Sequence, residues 1–460
     1  MVKEEILKKV IDTLVGNGAS FADVFIERKK TLLINMENKK LEKITTGTQI
    51  GGGLRVRYGD KTFFGYTEDL SEKALLALAK NLSSKEKGNC EATSYNYALK
   101  AAPTTYIEEG VKGDNILKEK IDLVLALNDV AWKRSSALVQ VMVAYGEAEQ
   151  EIYVMNSKGI YVKEFRPRTR VVSEGLAEKN GLLQRGYDAM GGLGTFSWLK
   201  NEDVTGLVTG AMDKAANLLL ASEAPSGTMD VVLSGEAGGT MVHEACGHGL
   251  EGDIVKKGMS VYGGKIGEKV ASSLITVVDD GTMKGKYGTS YYDDEGTKTN
   301  QNILIEKGIL KGYMCDLKSA EDLGLKATGN GRREGYSVPP ITRMTNTYIA
   351  PGDMDKDTIL ASVDQGLFVK KMGGGQVNTT TGDFVFEVSE GYLIDKGIIK
   401  EQVRGATLIG NGPNVLNKID MVGSDFGYSL GTCGKDGQRV PVADAQPTLR
   451  IPALTVGGTK

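Results

Sequence analysis

The chain of 460 residues holds only two histidines, His243 and His248, and both fall in the stretch His243-Glu244-Ala245-Cys246-Gly247-His248-Gly249-Leu250-Glu251-Gly252-Asp253. Glu244 follows the first of them directly. Two imidazoles with an adjacent carboxylate are the equipment for holding Zn²⁺ and putting a water molecule to use. In the common zinc-protease pattern the histidines stand four apart, which at about 100° per residue leaves them roughly 40° apart on one helix face. Here they stand five apart, hence roughly 140° apart on a regular helix. Both could not reach one ion. The metal reading therefore requires a distorted helix, either a π-bulge or a break at Gly247, where glycine suits the distortion.

A catalytic zinc site uses three protein ligands and keeps a fourth position open. With no third histidine, the remaining ligand must be Cys, Asp or Glu. Cys246 lies inside the motif and is cramped for a shared tetrahedron. Cys433, in the turn-rich run 431–437, could present a thiolate, and Glu251 and Asp253 are carboxylates close by. The plainer reading is of two histidines satisfied by core hydrogen bonds and of cysteines acting as small buried apolar groups.

The elements that must position these residues divide at Ala224-Pro225-Ser226-Gly227, a strong turn signal. We read an N-terminal domain over 1–224 and a C-terminal domain over 225–460. Before the boundary, apolar residues at helical spacing over 6–14 precede strand-like runs at 21–27, 31–36, 41–46, 53–58 and 62–67, and a helix over 71–82. A connector over 88–113 follows. The same order then recurs: a helix over 116–132, strands at 138–145, 151–155, 159–166, 170–177 and 182–187, and a helix over 203–220. This reads as a duplicated helix–strands–helix unit. After the boundary, a strand at 229–233 leads into a motif helix over 240–249. Short apolar runs at 276–278, 303–305, 309–314, 384–388 and 398–403 then predict antiparallel sheet. The fold class is α+β in two domains, the first of helices packed on antiparallel sheets, the second mostly antiparallel and barrel-like around one motif helix.

Composition supports a β-rich chain, with 60 glycines against 10 prolines. The formal net charge of -3, without a Lys/Arg run, argues against direct contact with nucleic acid. Four cysteines without paired spacing suit a reducing compartment, and neither a signal core nor a membrane-length apolar run occurs, so the expected location is cytoplasmic.

The histidine stretch resembles the signature of the TldD/PmbA family of metalloproteases, in its zinc-bearing subunit type. The likeness extends to Asp279-Asp280-Gly281-Thr282, Tyr292-Asp293-Asp294-Glu295-Gly296-Thr297, Ala327 to Glu334, Arg343-Met344-Thr345-Asn346-Thr347 and Cys433-Gly434-Lys435-Asp436-Gly437-Gln438. It implies a zinc-dependent peptidase with metal on His243, His248 and Cys433, and with Glu244 as general base on a zinc-bound water. It also implies a dimer, with a catalytically silent paralogue or with a second copy, acting on peptides or unfolded proteins. The alternative is a non-catalytic scaffold whose zinc is closed by a fourth ligand from Glu251, Asp253 or Cys246.

Three further stretches carry competing readings. Arg332-Arg333-Glu334 could clamp a substrate carboxylate or form a structural ion pair. Asp293-Asp294-Glu295 could bind a second ion, although acidic turns more often cap or solvate. Gly373-Gly374-Gly375-Gln376, followed by Asn378-Thr379-Thr380-Thr381-Gly382, reads first as a plain hairpin turn and second as a glycine-rich wall beside a substrate backbone.

Overall fold

The computed structural model describes residues 2–91, 93, 95–103 and 117–459. Much of the expected connector over 88–113 and the expected first residue of the helix at 116 lie outside them.

Among the described residues, the N-terminal half is one seven-stranded sheet carrying four α-helices. Three long antiparallel strands, Phe21–Glu37, Lys40–Tyr58 and Lys61–Thr67, form the first meander, between helices Glu4–Val15 and Glu72–Ser83. Leu138–Asn156, Tyr161–Lys179 and Leu182–Gly192 form the second, between Leu117–Trp132 and Val204–Leu218. The meanders join where Phe21–Glu37 pairs antiparallel with Leu138–Asn156. The repeated helix–strands–helix order is therefore present, with three strands per unit instead of five. Polar stretches such as 28–30 read as turns, but the ribbons continue through them because the pairing Phe21↔Arg57 to Glu37↔Lys40 runs on past the core. Residues 40–50 are paired yet exposed, so burial cannot mark them as strand.

Alternation gives this sheet two unlike faces. Ala22, Val24, Ile26, Leu32, Ile34 and Met36 face the helices and build two apolar cores. Asp23, Phe25 and Glu27 face the C-terminal half, together with Gln150, Glu164 and Arg166, and all are buried there.

After residue 224, five strands close into a barrel: Gly227–Leu233, Gln365–Val377, Asp383–Asp395, Thr407–Asn411 and Leu449–Gly457. A second, six-stranded sheet ends on the edge strand Gly427–Lys435, which among the described residues pairs only with Gln438–Gln446. The motif helix lies between barrel and sheet, with Val242, Ala245 and Cys246 in the core that both contribute. The α+β, barrel-like expectation holds. The run 309–314 is strand only at Ile309–Leu310. Glycines 373–375 lie within a barrel strand, and the turn comes after it, at 378–382.

Candidate metal centre

The motif helix is three helix types in succession. An α-turn, Thr240–Val242, passes into a π-turn, His243–Gly247, and then a 3₁₀ turn, His248–Leu250. The His248 amide donates to the His243 carbonyl, a bond that inserts one residue per turn and brings positions five apart onto one face. For both histidines to meet, the spacing required a distorted helix, by a π-bulge or a break at Gly247, and the structure has the π-turn. Gly247 contributes differently from expectation. Its φ and ψ, -52° and -58°, are ordinary helical values that any residue adopts. A methyl group there would instead collide with Sδ of Met344. Glycine here spares the Met344 side chain a shift and is not called for by backbone freedom.

Cys433 comes from the edge strand, buried and facing the helix. Its Sγ lies 3.3 Å from Nε2 of His243 and 3.4 Å from Nε2 of His248. The three ligand atoms fall within 4.8 Å of one another, and among the described residues no other His/Cys/Asp/Glu group gathers in this way. Each imidazole is held through its other nitrogen. Nδ1 of His243 donates to Asp444 at 2.8 Å, and Nδ1 of His248 donates to Glu251 at 3.0 Å. That leaves both Nε2 atoms aimed at the thiol, the arrangement that metal-bound histidines share.

Lys435 extends the second of these chains. Its ammonium donates to Glu251 at 3.0 Å, to Asp253 at 2.7 Å and to the Thr342 carbonyl at 2.9 Å. Glu251 and Asp253 are thus occupied by a cation, and Cys246 donates to the Val242 carbonyl within the core. Burial pushes the Cys246 thiol up to about 12, as expected of an inert apolar cysteine. None of the three candidate fourth ligands joins the cluster.

Electrostatics couple the trio. Burial would raise the Cys433 thiol, but the two imidazoles overcome it and hold it down at about 5. Burial would lower His248, but Glu251 and Cys433 bring it up to about 9. The same contest, with Asp444 as the main opposing charge, leaves His243 well above its ordinary range. A thiolate between two imidazolium groups is a donor set of one soft anion and two exchangeable protons. Zn²⁺ fits it, replacing those protons.

Glu244 is half-buried beside the cluster, and burial raises its carboxyl above the ordinary value against the lowering pull of both histidines. It lines a cleft of about 700 Å³ with His243, His248, Cys433 and the glycine-bearing strand at 374–375. A second cleft of about 600 Å³ continues past Thr240, Ser429 and Leu430 toward Lys214 and Tyr187 of the N-terminal half.

The sequence pattern did not single out Asp444 and Lys435 as residues that orient ligands. Both had a usable signal: Lys435 lies two residues from Cys433 and so on the same strand face, and Asp444 is the only acid in the small and apolar run 440–446. Asp293, Asp294 and Glu295 are consumed internally. Asp293 accepts from the amides of Glu295, Thr297 and Gly331, Asp294 pairs with Arg166 at 2.6 Å, and Glu295 pairs with Arg55 at 2.6 Å.

Residues 226–458 match the C-terminal domain of PmbA/TldA metallopeptidases, 113–222 their central domain and 22–85 their domain 1. A Haemophilus influenzae protein named Metalloprotease TldD homolog is 37% identical over 98% of this chain and 96% of its own length. A Zinc metalloprotease TldD homolog of Saccharolobus solfataricus is 28% identical over 96% of this chain and 97% of its own. Among solved structures, a putative modulator of a DNA gyrase from Thermotoga maritima superposes with a TM-score of 0.81 at 21% identity, covering 99% of this chain and 100% of that one. TldE from Thermococcus kodakarensis superposes with a TM-score of 0.76 at 19% identity, covering 98% and 100%.

Proposed function

Because the chain belongs to the TldD/PmbA family of metallopeptidases, we propose that it hydrolyses peptide bonds in unstructured peptides or unfolded proteins, with Zn²⁺ held by His243, His248 and Cys433. The observation that carries this reading is the convergence of those three ligand atoms within 4.8 Å at the floor of an open cleft, with Glu244 on its wall. A zinc ion bound there supplies a Lewis acid that polarises the scissile carbonyl and makes water a stronger acid. Glu244 takes the proton of the attacking water on its carboxylate and returns it to the departing amine. A carboxyl already raised by burial is the better acid and base for that exchange. Asp444 and Glu251 keep each Nε2 directed at the ion, and Lys435 holds Glu251 in place.

The walls of the cleft favour extended chains. One is the edge strand Gly427–Lys435, and the other is the barrel strand with Gly374 and Gly375, where missing side chains let a backbone approach closely. A peptide bound there forms main-chain hydrogen bonds and shows little preference for side chains. The scaffold reading would need a fourth protein ligand, and Lys435 already occupies both nearby carboxylates.

We take the working form to be a dimer with a TldE-like subunit or with a second copy. We place it in the cytoplasm, in keeping with four free cysteines. Among the described residues no helix is long and apolar enough to cross a membrane. The domains are taken as 1–224 and 225–460.

The test is degradation of an unfolded protein by the intact chain and by Glu244→Gln, with zinc content measured on both samples. The expected result is near one zinc per chain in each and turnover only in the first. Full turnover by Glu244→Gln would sink the mechanism.

A further inference from the structure

Of the three glycines at 373–375 in the barrel strand, Gly374 is the one the fold does not need. A methyl group on Gly375 would collide with the Phe386 ring, and one on Gly373 would press on the Glu387 side chain. At Gly374 it would meet no atom within 4 Å, and the backbone there is not left-handed. Glycine inside a strand is otherwise destabilising, because it packs nothing and orders a freer chain. Neither packing nor conformation explains it at 374. What the missing side chain leaves open is the space in front of the strand.

That space is where two clefts meet. Gly374 lines both the metal cleft and the second cleft, as do Thr240, Ser429 and Leu430 on the facing side. Thr240 opens the turn that leads to His243 and Glu244, and Leu430 precedes Cys433 by three residues on the edge strand. At the rise of a strand those three residues span about 10 Å. A peptide lying extended along the edge strand therefore reaches the junction about three residues from the metal ligand. On the opposite wall the barrel strand is bulged. Met372 stands across from Val388 and Gly375 across from Phe386, so the glycine strand holds one residue more than its neighbour. A bulge bends its strand and leaves the extra residue outside the ladder.

Beyond the junction, the second cleft lies between the two halves of the molecule. Strand Leu182–Gly192 and helix Val204–Leu218 give it Arg185, Asp188 and Lys214, and the C-terminal half adds Glu236, Lys371 and Glu387. Lys371 pairs with Asp188 at 3.6 Å. Walls of both signs suit the polar side chains of an unstructured chain, without selecting for one charge.

We propose that Gly374 is a specificity-determining residue. An extended substrate leaves the metal cleft past Gly374, and its residues beyond that point, on one side of the scissile bond, occupy the second cleft. A side chain at position 374 closes this way without displacing protein atoms. The proposal rests on the peptidase reading for the identity of the occupant and narrows its substrate class to polypeptides long enough to fill both clefts.

Fluorescence anisotropy on the full chain carrying Glu244→Gln, where turnover does not interfere, tests it with labelled unstructured peptides of about four and about twelve residues. The long peptide is expected to bind about tenfold more tightly than the short one, and adding Gly374→Val to remove that advantage. Gln184 lines the second cleft and not the metal cleft, so Gln184→Trp should remove it too and keeps the test open if Gly374→Val fails to fold. Equal binding of the two peptides, or an advantage that survives in either folded variant, overturns the proposal. Cleavage is a separate readout: an intact chain that binds both peptides and cleaves neither sinks the peptidase reading and not the path past Gly374.

Discussion

Cys433 and Thr432 are neighbours on one edge strand, yet the clefts they border differ in charge. The cleft at Cys433 gathers a thiolate, two imidazole nitrogens and the Glu244 carboxylate, a set that waits for a cation. The cleft at Thr432 is lined by Arg166, Arg168, Arg170, Arg332, Arg333 and Arg439 with Asp294 and Glu334 among them, a set that is cationic on balance. Strand alternation keeps these sets apart by sending adjacent side chains to opposite faces. Electrostatic character is thus assigned face by face, and a net charge of -3 for the whole chain says little about either cleft.

The cation side should break most completely. Glu244→Gln is expected to lower turnover about 10²–10⁴-fold while zinc stays bound, the range for losing a general base, as judged by peptidase assay beside metal analysis. Asp444→Asn leaves Nδ1 of His243 without its anion, and zinc affinity should fall about 10–100-fold in a chelator competition, with the denaturant midpoint unmoved. A denaturant midpoint lowered as well would show that Asp444 supports the fold generally and not one site.

The comparison sharpens with pH. His248, at about 9, is protonated at neutral pH in the metal-free protein, so zinc must displace its proton. Proton displacement becomes easier as pH rises. Zinc affinity should therefore climb from pH 6 until roughly pH 9 and then level off, with proton release on binding staying near full until pH approaches 9 and falling beyond it. Calorimetry in buffers of different ionisation enthalpy measures that release. A pH-independent affinity would mean that the imidazoles are neutral before the metal arrives.

The smallest effect is on the helix that carries the histidines. Gly247→Ala must push Met344 aside, and overpacking of this kind costs about 1–3 kcal/mol, read as a lower denaturant midpoint. If Met344 moved aside without cost, alanine at these helical angles would instead be neutral or stabilising.

Local order was largely readable from the residues. The five-residue histidine spacing dictated a distorted helix, and the helix–strands–helix repeat stood out in element order. The number of strands did not, because residues 40–50 are held by pairing while exposed on both faces, and periodicity reports burial. The hairpin turn expected in the stretch 373–382 is present at 378–382, and glycines 373–375 belong to the strand before it. Their lack of side chains serves the cleft they line, and the local signal for a turn is the same.

The sequence by itself determined which groups were available for chemistry: two imidazoles, a neighbouring carboxylate, and a helix unable to stay regular if both histidines were to meet. Only the tertiary structure decided what meets them. Cys433 arrives from 185 residues beyond His248, while Glu251 and Asp253, close in sequence, are taken by Lys435. Local pattern encodes which side chains share a face, but the choice among distant donors rests on which strand packs against that face, and packing is a property of the whole chain.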